Sequence, residues 1–314
     1  MPIPVTNNDH PGRKPDWLKV RPPGSGEYAG LKRAIRDLGL HTVCEEADCP
    51  NLAECWGGGT ATVMILGDIC TRACRFCNVA SGDPAGRIDH DEPAHVAALL
   101  AAQDLQYIVL TSVDRDDLPD GGAGQFARTV RAIREECPDL LIETLIPDFS
   151  GNHASLQILL AAQPHVISHN VETTERLTRS VRDVRASYAV SLRVLADLKE
   201  LAPAVMQEKI WTKSGIMVGM GETIDEVVAT MEDLRKVEVD FLTIGQYLQP
   251  TRKHHPVREY VAPAQFESYR EIGQDLGFTY VASGPLVRSS YRAGEFFIAN
   301  IIGMSTGNSD RMER

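Results

Sequence analysis

Between residues 63 and 276 the chain alternates, again and again, between a short apolar run and an amphipathic helical pattern. The apolar runs are Val63–Ile69, Tyr107–Val113, Leu140–Ile146, Val166–Val171, Ile210–Val218 and Phe241–Leu248. The helical period follows each of them, over 93–102, 125–137, 154–162, 187–200, 223–237 and 264–276. Strand-like runs separated by helices point to parallel pairing, because a crossover between parallel strands needs a helix. This pattern predicts an α/β fold, a parallel inward-curving sheet with helices outside. Ligands in such folds sit at the C-terminal ends of the strands, so those positions hold the candidate chemistry. The helix over 223–237 has the clearest start: Thr223 and Glu226 form a capping box ahead of Ile224, Val227, Val228, Met231 and Leu234. Thr279–Val287 is predicted to be extended.

The first strand end carries Cys70-Thr71-Arg72-Ala73-Cys74-Arg75-Phe76-Cys77, a Cys-x3-Cys-x2-Cys spacing. Three thiolates this close can face one iron–sulfur cluster. A cubane 4Fe–4S cluster held by three cysteines keeps one iron open for a ligand. Structural zinc is the alternative, but zinc usually takes paired Cys-x2-Cys units. A second set, Cys44, Cys49 and Cys55, precedes it with Cys-x4-Cys-x5-Cys spacing. Two three-cysteine sets in succession read as two clusters, each short of one cysteine. The seventh cysteine, Cys137, shares a helix face with Phe126, Val130 and Ile133 and is expected to be a core residue.

The 314 residues suffice for one large α/β barrel, and 43% hydrophobic residues is ordinary for a globular chain. A net charge of −11 argues against phosphate-driven nucleic-acid binding. Arg176, Arg179, Arg182 and Arg185 form one candidate basic patch, with a solvated helix or loop face as the preferred reading. Residues 1–23 contain no apolar signal core and no run is long enough to span a membrane, so a reducing cytoplasm is expected.

The cysteine pattern with Phe76 resembles the radical S-adenosylmethionine (SAM) superfamily. The two cysteine sets together, with Arg288-Ser289-Ser290-Tyr291 near the other end, resemble the lipoyl synthase family within it. That resemblance implies a partial (β/α)6 barrel over 61–263. It adds an N-terminal extension, 1–60, carrying the auxiliary cluster cysteines, and a C-terminal helix and segment, 264–314, carrying the serine ligand. It implies two 4Fe–4S clusters. Cys70, Cys74 and Cys77 would hold the one that binds SAM and cleaves it to a 5'-deoxyadenosyl radical. Cys44, Cys49, Cys55 and Ser289 would hold the auxiliary one, the sulfur donor. The implied reaction inserts sulfur at C6 and C8 of an octanoyl group on a lipoyl carrier protein or domain. The implied partners are that octanoylated carrier, an electron donor such as reduced ferredoxin or flavodoxin, and cluster-assembly proteins. A monomer with neither nucleic acid nor membrane is expected. Two other readings stay open: another sulfur-inserting radical SAM enzyme with an auxiliary cluster, and a two-cluster electron carrier.

The resemblance also implies SAM contacts. Thr111 and Ser112, at the second strand end, would hold its amino group, although a polar βα loop with Asp117 or Asp120 making turns explains that stretch equally. Asn170 and Glu172 alternate onto one face of an extended chain, and an amide with a carboxylate suits a ribose diol. His169 points the other way and is expected to be a packed histidine. Arg193 can reach the SAM carboxylate or stand on the surface. Gly219 and Glu222 belong to a Gly-x-Ile-x-Gly-x-x-Glu-like stretch near adenine, in which Met217 departs from the family pattern.

Overall fold

The computed structural model describes residues 12–19, 40–42, 62–103, 105–207 and 209–289. The main sheet has eight strands in the order β1 (His41–Thr42), β2 (Thr62–Ile65), β5 (Tyr107–Ser112), β6 (Leu141–Leu145), β7 (Val166–Ser168), β8 (Trp211–Val218), β9 (Phe241–Gln246) and β10 (Tyr280–Gly284). Among the described residues, β1 pairs antiparallel with β2 and the other neighbouring pairs of this sheet are parallel. The helices are α1 (Glu92–Ala101), α2 (Ala123–Glu136), α3 (His153–Leu160), α4 (Glu175–Val181), α5 (Tyr188–Val205), α6 (Ile224–Lys236) and α7 (Pro263–Asp275). The six expected strands are all present. The extended segment after α7 joins them as β10, in register with β9 from Tyr280↔Phe241 to Gly284↔Gly245.

Side-chain alternation gives the sheet two buried faces. On β8, Ile216 and Val218 pack outward under α6 and α7, while Trp211 lies on the inner face. One inner cluster joins Tyr107, Val109, Leu141, Leu145, Val166, Trp211, Phe241 and Tyr280, which come from β5 to β10. Side chains from six strands meet in this way only when the sheet curves round them. Trp211 and Phe241 stack there at 5.2 Å between ring centres. Outside, Val63, Ile108, Leu110 and Ile142 pack against Val96, Phe126, Val130, Leu156 and Leu159 of α1, α2 and α3. Each such side chain contributes roughly 1.5–3 kcal/mol on leaving water. Cys137, expected in the core on a helix face, stands just past the end of α2 at Glu136 and packs partly buried against this core.

The structure departs from the sequence pattern in several places, and the fourth strand, expected over Val166–Val171, ends at Ser168. The first strand stops at Ile65 instead of Ile69, because Leu66 (φ 69°) and Gly67 (φ 81°) turn the chain. The Leu66 N–H donates to both carboxylate oxygens of buried Glu92 (2.9 and 3.0 Å), a partner that a local reading does not see. Residues 69–70 then form β3, paired parallel with β4 (Ala80–Ser81). The capping box of α6 is present, and Val227, Met231 and Leu234 are buried, but Ile224 stands half exposed outside its apolar face. The arginine-rich stretch contains α4, whose Leu177 and Val181 pack with Phe76, Met220, Tyr247 and Val257 at the strand ends.

Candidate active site

The cysteine loop is fastened to the C-terminal ends of the strands by one buried cation. Arg72, 3% exposed, is bidentate to Asp116 (2.9 and 2.8 Å) and to Asp148 (2.8 and 2.7 Å), and lies 3.3 Å from Asp114. Asp114 and Asp116 follow β5 and Asp148 follows β6, so the guanidinium links both strand ends to the loop. Burial opposes its charge, but the hydrogen bonds to Asp116 and Asp148 outweigh that and push its pKa up. Arg72 holds the Asp116 carboxyl below its ordinary range. Asp148 is held low as well, the same arginine overcoming the effect of burial. Backbone groups complete the attachment. Thr71 N–H donates to the Asp114 carbonyl (2.9 Å), Ala73 N–H to Asp183 (2.9 Å) and Arg75 N–H to the Val181 carbonyl (2.8 Å). Arg185 donates to the Thr71 carbonyl (2.6 Å), and His255 N–H to that of Arg75 (2.7 Å).

Of the four arginines read as a solvated face, Arg176, Arg179 and Arg185 are exposed as expected, and Arg182 is the exception. Arg182 is buried and donates to Ser191 (2.8 Å), while Arg185 pairs with Asp183 (2.8 Å) and Asp116 (3.1 Å). Ser191 lies nine positions beyond Arg182, on the next helix, and Asp116 lies far back along the chain, so a helix-face pattern over 176–185 does not show these two contacts.

Cys70, Cys74 and Cys77 are half-buried free thiols. The Cys70 sulfur accepts from Arg72 N–H (3.4 Å) and the Cys74 sulfur from Asp183 N–H (3.3 Å). Burial pushes all three thiols up, Cys74 to about 12 and Cys77 to about 11. A bound metal reverses that preference, because a coordinated thiol is deprotonated. Among the described residues no three His, Cys, Asp or Glu side chains surround a single ion position. A cubane differs in that each cysteine binds its own iron. Half-buried, undisulfided thiols with backbone donors fit such a group. Cys44, Cys49, Cys55, Ser290 and Tyr291 lie outside the described residues.

The other candidate residues divide into those that converge and those that do not. Asn170 and Glu172 follow β7 at the barrel mouth, where the Glu172 N–H donates to the Gly215 carbonyl at 3.0 Å. Burial raises the Glu172 pKa against the pull of Arg182 and Asn170. The Asn170 amide donates to the Ser289 hydroxyl at 2.9 Å, although 119 positions separate them. Its own Oδ1 is buried with no partner among the described residues, and a Cβ on Gly215 would stand 2.8 Å from it. An acceptor left free at the mouth fits a hydroxyl donor such as a ribose. Thr111 and Ser112 donate to the carbonyls of Leu145 (3.0 Å) and Val113 (2.9 Å), which leaves their lone pairs able to accept from an ammonium. Asp120 makes a turn, accepting from the N–H groups of Gly122 and Gly124 (2.9 and 2.8 Å), whereas Asp117 accepts from the Gly86 N–H (2.9 Å), 31 positions away, and from Arg115 (2.8 Å). Glu222 folds back on its own turn, accepting from the N–H groups of Gly219 and Met220. Gly219 has φ +95°, and a Cβ there would meet the Glu259 carbonyl at 2.4 Å. Arg193 does not converge with the others; it is exposed on α5. His169 is buried between the Ile146 carbonyl and Ser191 (2.9 Å each), as expected.

This geometry can be set beside known proteins. The radical SAM superfamily model matches residues 64–234, and a model of the N-terminal domain of lipoyl synthase matches residues 4–49. The lipoyl synthase of Myxococcus xanthus is 54% identical over 302 residues, covering 96% of this chain and 98% of its own. The chain belongs to the lipoyl synthase family. A mitochondrial lipoyl synthase of Oryza sativa subsp. indica is 52% identical over 305 residues, covering 96% of this chain and 79% of its own. The crystal structure of methylornithine synthase superposes with a TM-score of 0.52 at 15% identity, covering 89% of each chain, which supports the radical SAM type of fold. Lipoyl synthase membership makes the chain a radical SAM enzyme and selects sulfur insertion over an electron carrier. Sequence reasoning missed the buried roles of Arg72 and Arg182 and the buried pair Glu143–Lys213 (2.9 Å). A lysine and a glutamate within apolar strand runs were the available signal.

Proposed function

We propose that Cys70, Cys74 and Cys77 hold a 4Fe–4S cluster that binds SAM, and that Cys44, Cys49, Cys55 and Ser289 hold a second cluster that supplies sulfur. The substrate is an octanoyl group on a lipoyl carrier protein, and the product carries sulfur at C6 and C8. When bound, the first cluster supplies the electron that cleaves SAM to a carbon radical able to take hydrogen from an unactivated C–H bond. Arg72 and its three aspartates orient the cysteine loop. Thr111 and Ser112 accept from the SAM ammonium, Asn170 and Glu172 hold its ribose, and Gly219 with the turn that Glu222 caps lies against its adenine. Arg193 reaches the SAM carboxylate only if its exposed side chain turns inward.

The observation that carries this reading is the 2.9 Å hydrogen bond between Asn170 and Ser289. It supports a serine ligand close to the SAM end of the barrel, where a radical on the substrate can meet a sulfur source. The chain acts as a cytoplasmic monomer, with reduced ferredoxin or flavodoxin as donor and cluster-assembly proteins to load it. It uses neither nucleic acid nor membrane, and the net charge of −11 agrees with the first of these. Among the described residues no helix is long and apolar enough to cross a membrane.

The test is mass spectrometry of an octanoylated carrier after anaerobic turnover with SAM and reductant. The expected product has gained two sulfur atoms. An unchanged octanoyl mass alongside full SAM cleavage overturns the reading.

A further inference from the structure

Inside the barrel, above the apolar floor of Tyr107, Val166, Trp211 and Phe241, lies a charged layer that the proposed reaction does not use. Lys213 of β8 is 2% exposed, and its ammonium donates to both oxygens of Glu143 on β6 (3.0 and 2.9 Å). Glu143, fully buried, also accepts from the Tyr107 hydroxyl (2.5 Å) and from the Ser168 hydroxyl. An ammonium has three donors. The third goes to the backbone carbonyl of Ser289. The space for that approach comes from Gly245 of β9, where a Cβ would stand 2.1 Å from the Val287 carbonyl oxygen.

We propose that Lys213, held by Glu143, is a positioning residue for Ser289: the buried ammonium seats the backbone of residues 287–289 in the barrel mouth, and Gly245 leaves the room for it. Without the Ser289 carbonyl, one N–H of a buried ammonium would lack a partner. An unsatisfied buried donor is unfavourable, so the ion pair drives the segment into its seat. The seat acts on the carbonyl and does not engage the hydroxyl, which accepts from Asn170 and keeps a second lone pair with which to serve as a ligand. The consequence for catalysis rests on the reading of Ser289 as the auxiliary cluster ligand.

The test uses the holoenzyme and two variants that disturb the seat in different ways. Lys213→Met with Glu143→Gln removes both charges together, so no lone charge is left buried; the Gln oxygen accepts from one of the Tyr107 and Ser168 hydroxyls, and its NH2 donates to the other. Gly245→Ala leaves the ion pair intact and pushes on the Val287 carbonyl. Hydrogen exchange of the peptide containing residues 287–289 is read by mass spectrometry, beside the thermal midpoint and the ratio of lipoyl product to 5'-deoxyadenosine. Both variants should keep a midpoint near that of the parent. Their amides in this peptide should exchange about tenfold faster, the size of one charge-assisted hydrogen bond. The lipoyl ratio should fall while SAM cleavage continues. A purely structural pair would give parent-like exchange and a parent-like ratio in the neutral double variant. Unchanged exchange in that folded variant, or faster exchange with an unchanged lipoyl ratio, overturns the proposal. Ser289→Ala separates the two readings: full lipoyl yield there removes the ligand assignment, while exchange in K213M/E143Q still decides the seat.

Discussion

Two buried cations hold two different pieces of chain at the barrel mouth, and they hold them differently. Arg72 grips Asp114, Asp116 and Asp148 with a planar fork, and the loop around it is bonded again through Thr71, Ala73 and Arg75. Lys213 has one carboxylate and gives a single bond to the serine segment, whose hydroxyl takes one more from Asn170. Guanidinium fixes direction, whereas an ammonium is a point charge on a flexible stem. The cysteine loop is thus over-determined, whereas among the described residues the Ser289 carbonyl and hydroxyl each take one bond from a side chain. That contrast suits the proposed roles. A cluster that only delivers electrons must keep its ligands turnover after turnover, while a cluster that gives up sulfur must let one go. As the proposed ligand, Ser289 would agree with this, since a serine oxygen is a poor iron ligand beside thiolates.

The comparison breaks most decisively at the cysteines. Replacing Cys70, Cys74 and Cys77 by Ala should abolish SAM cleavage and lipoyl formation together, and remove about four of about eight irons, one cubane of two. Mössbauer spectra and 5'-deoxyadenosine release measure this. Retained SAM cleavage would mean that the loop is not where SAM binds. Replacing Cys44, Cys49 and Cys55 should instead leave some cleavage and stop sulfur insertion.

Next comes the cation itself. Arg72→Met leaves three carboxylates facing one another, and breaking a buried pair costs about 3–5 kcal/mol. Denaturant unfolding should register a loss of that size, with iron lost from the cysteine loop. A loss below about 1 kcal/mol, the range of an exposed pair, would mean that the loop is not held by Arg72.

The serine segment should respond in function and hardly in stability. Ser289→Ala is expected to keep the SAM cluster and some SAM cleavage while lipoyl formation largely fails, with Ser290→Ala much milder. A Ser289→Ala enzyme that completes both insertions at the parental rate would erase the difference between the two regions.

The smallest effect is at His169, next to Asn170. Burial first, and then the nearby Arg182 charge, lower its pKa from 6.5 to about 4, against the Ile146 carbonyl. The unfolded chain therefore binds this proton at a higher pH than the folded one. Its contribution to stability is complete above pH 6.5 and is lost as pH falls toward 4. At pH 5.5, one unit below the unfolded value, the loss is about 1.4 kcal/mol. His169→Gln should flatten the slope between pH 8 and 5.5 by that amount in urea titrations. An unaltered slope would show that His169 takes up its proton in the folded barrel.

By itself the sequence determined the strand and helix alternation, the capping box of α6 and the family. These rest on short-range rules: apolar period, capping geometry and fixed cysteine spacings. It also determined that His169 would be packed, because alternation along a strand sends neighbours to opposite faces. The tertiary structure alone decided what faces what across the sheet. The break after Ile65 depends on Glu92, the burial of Arg182 depends on Ser191, and the role of Arg72 depends on Asp148. Lys213 and Glu143 read locally as charges intruding on apolar runs; strand register turns them into a pair, and Gly245 leaves room for the Val287 carbonyl beside it. The physical reason is range. Period and capping are set within a few residues, whereas the partner of a buried charge is chosen by the curvature and register of a sheet whose strands lie tens of residues apart.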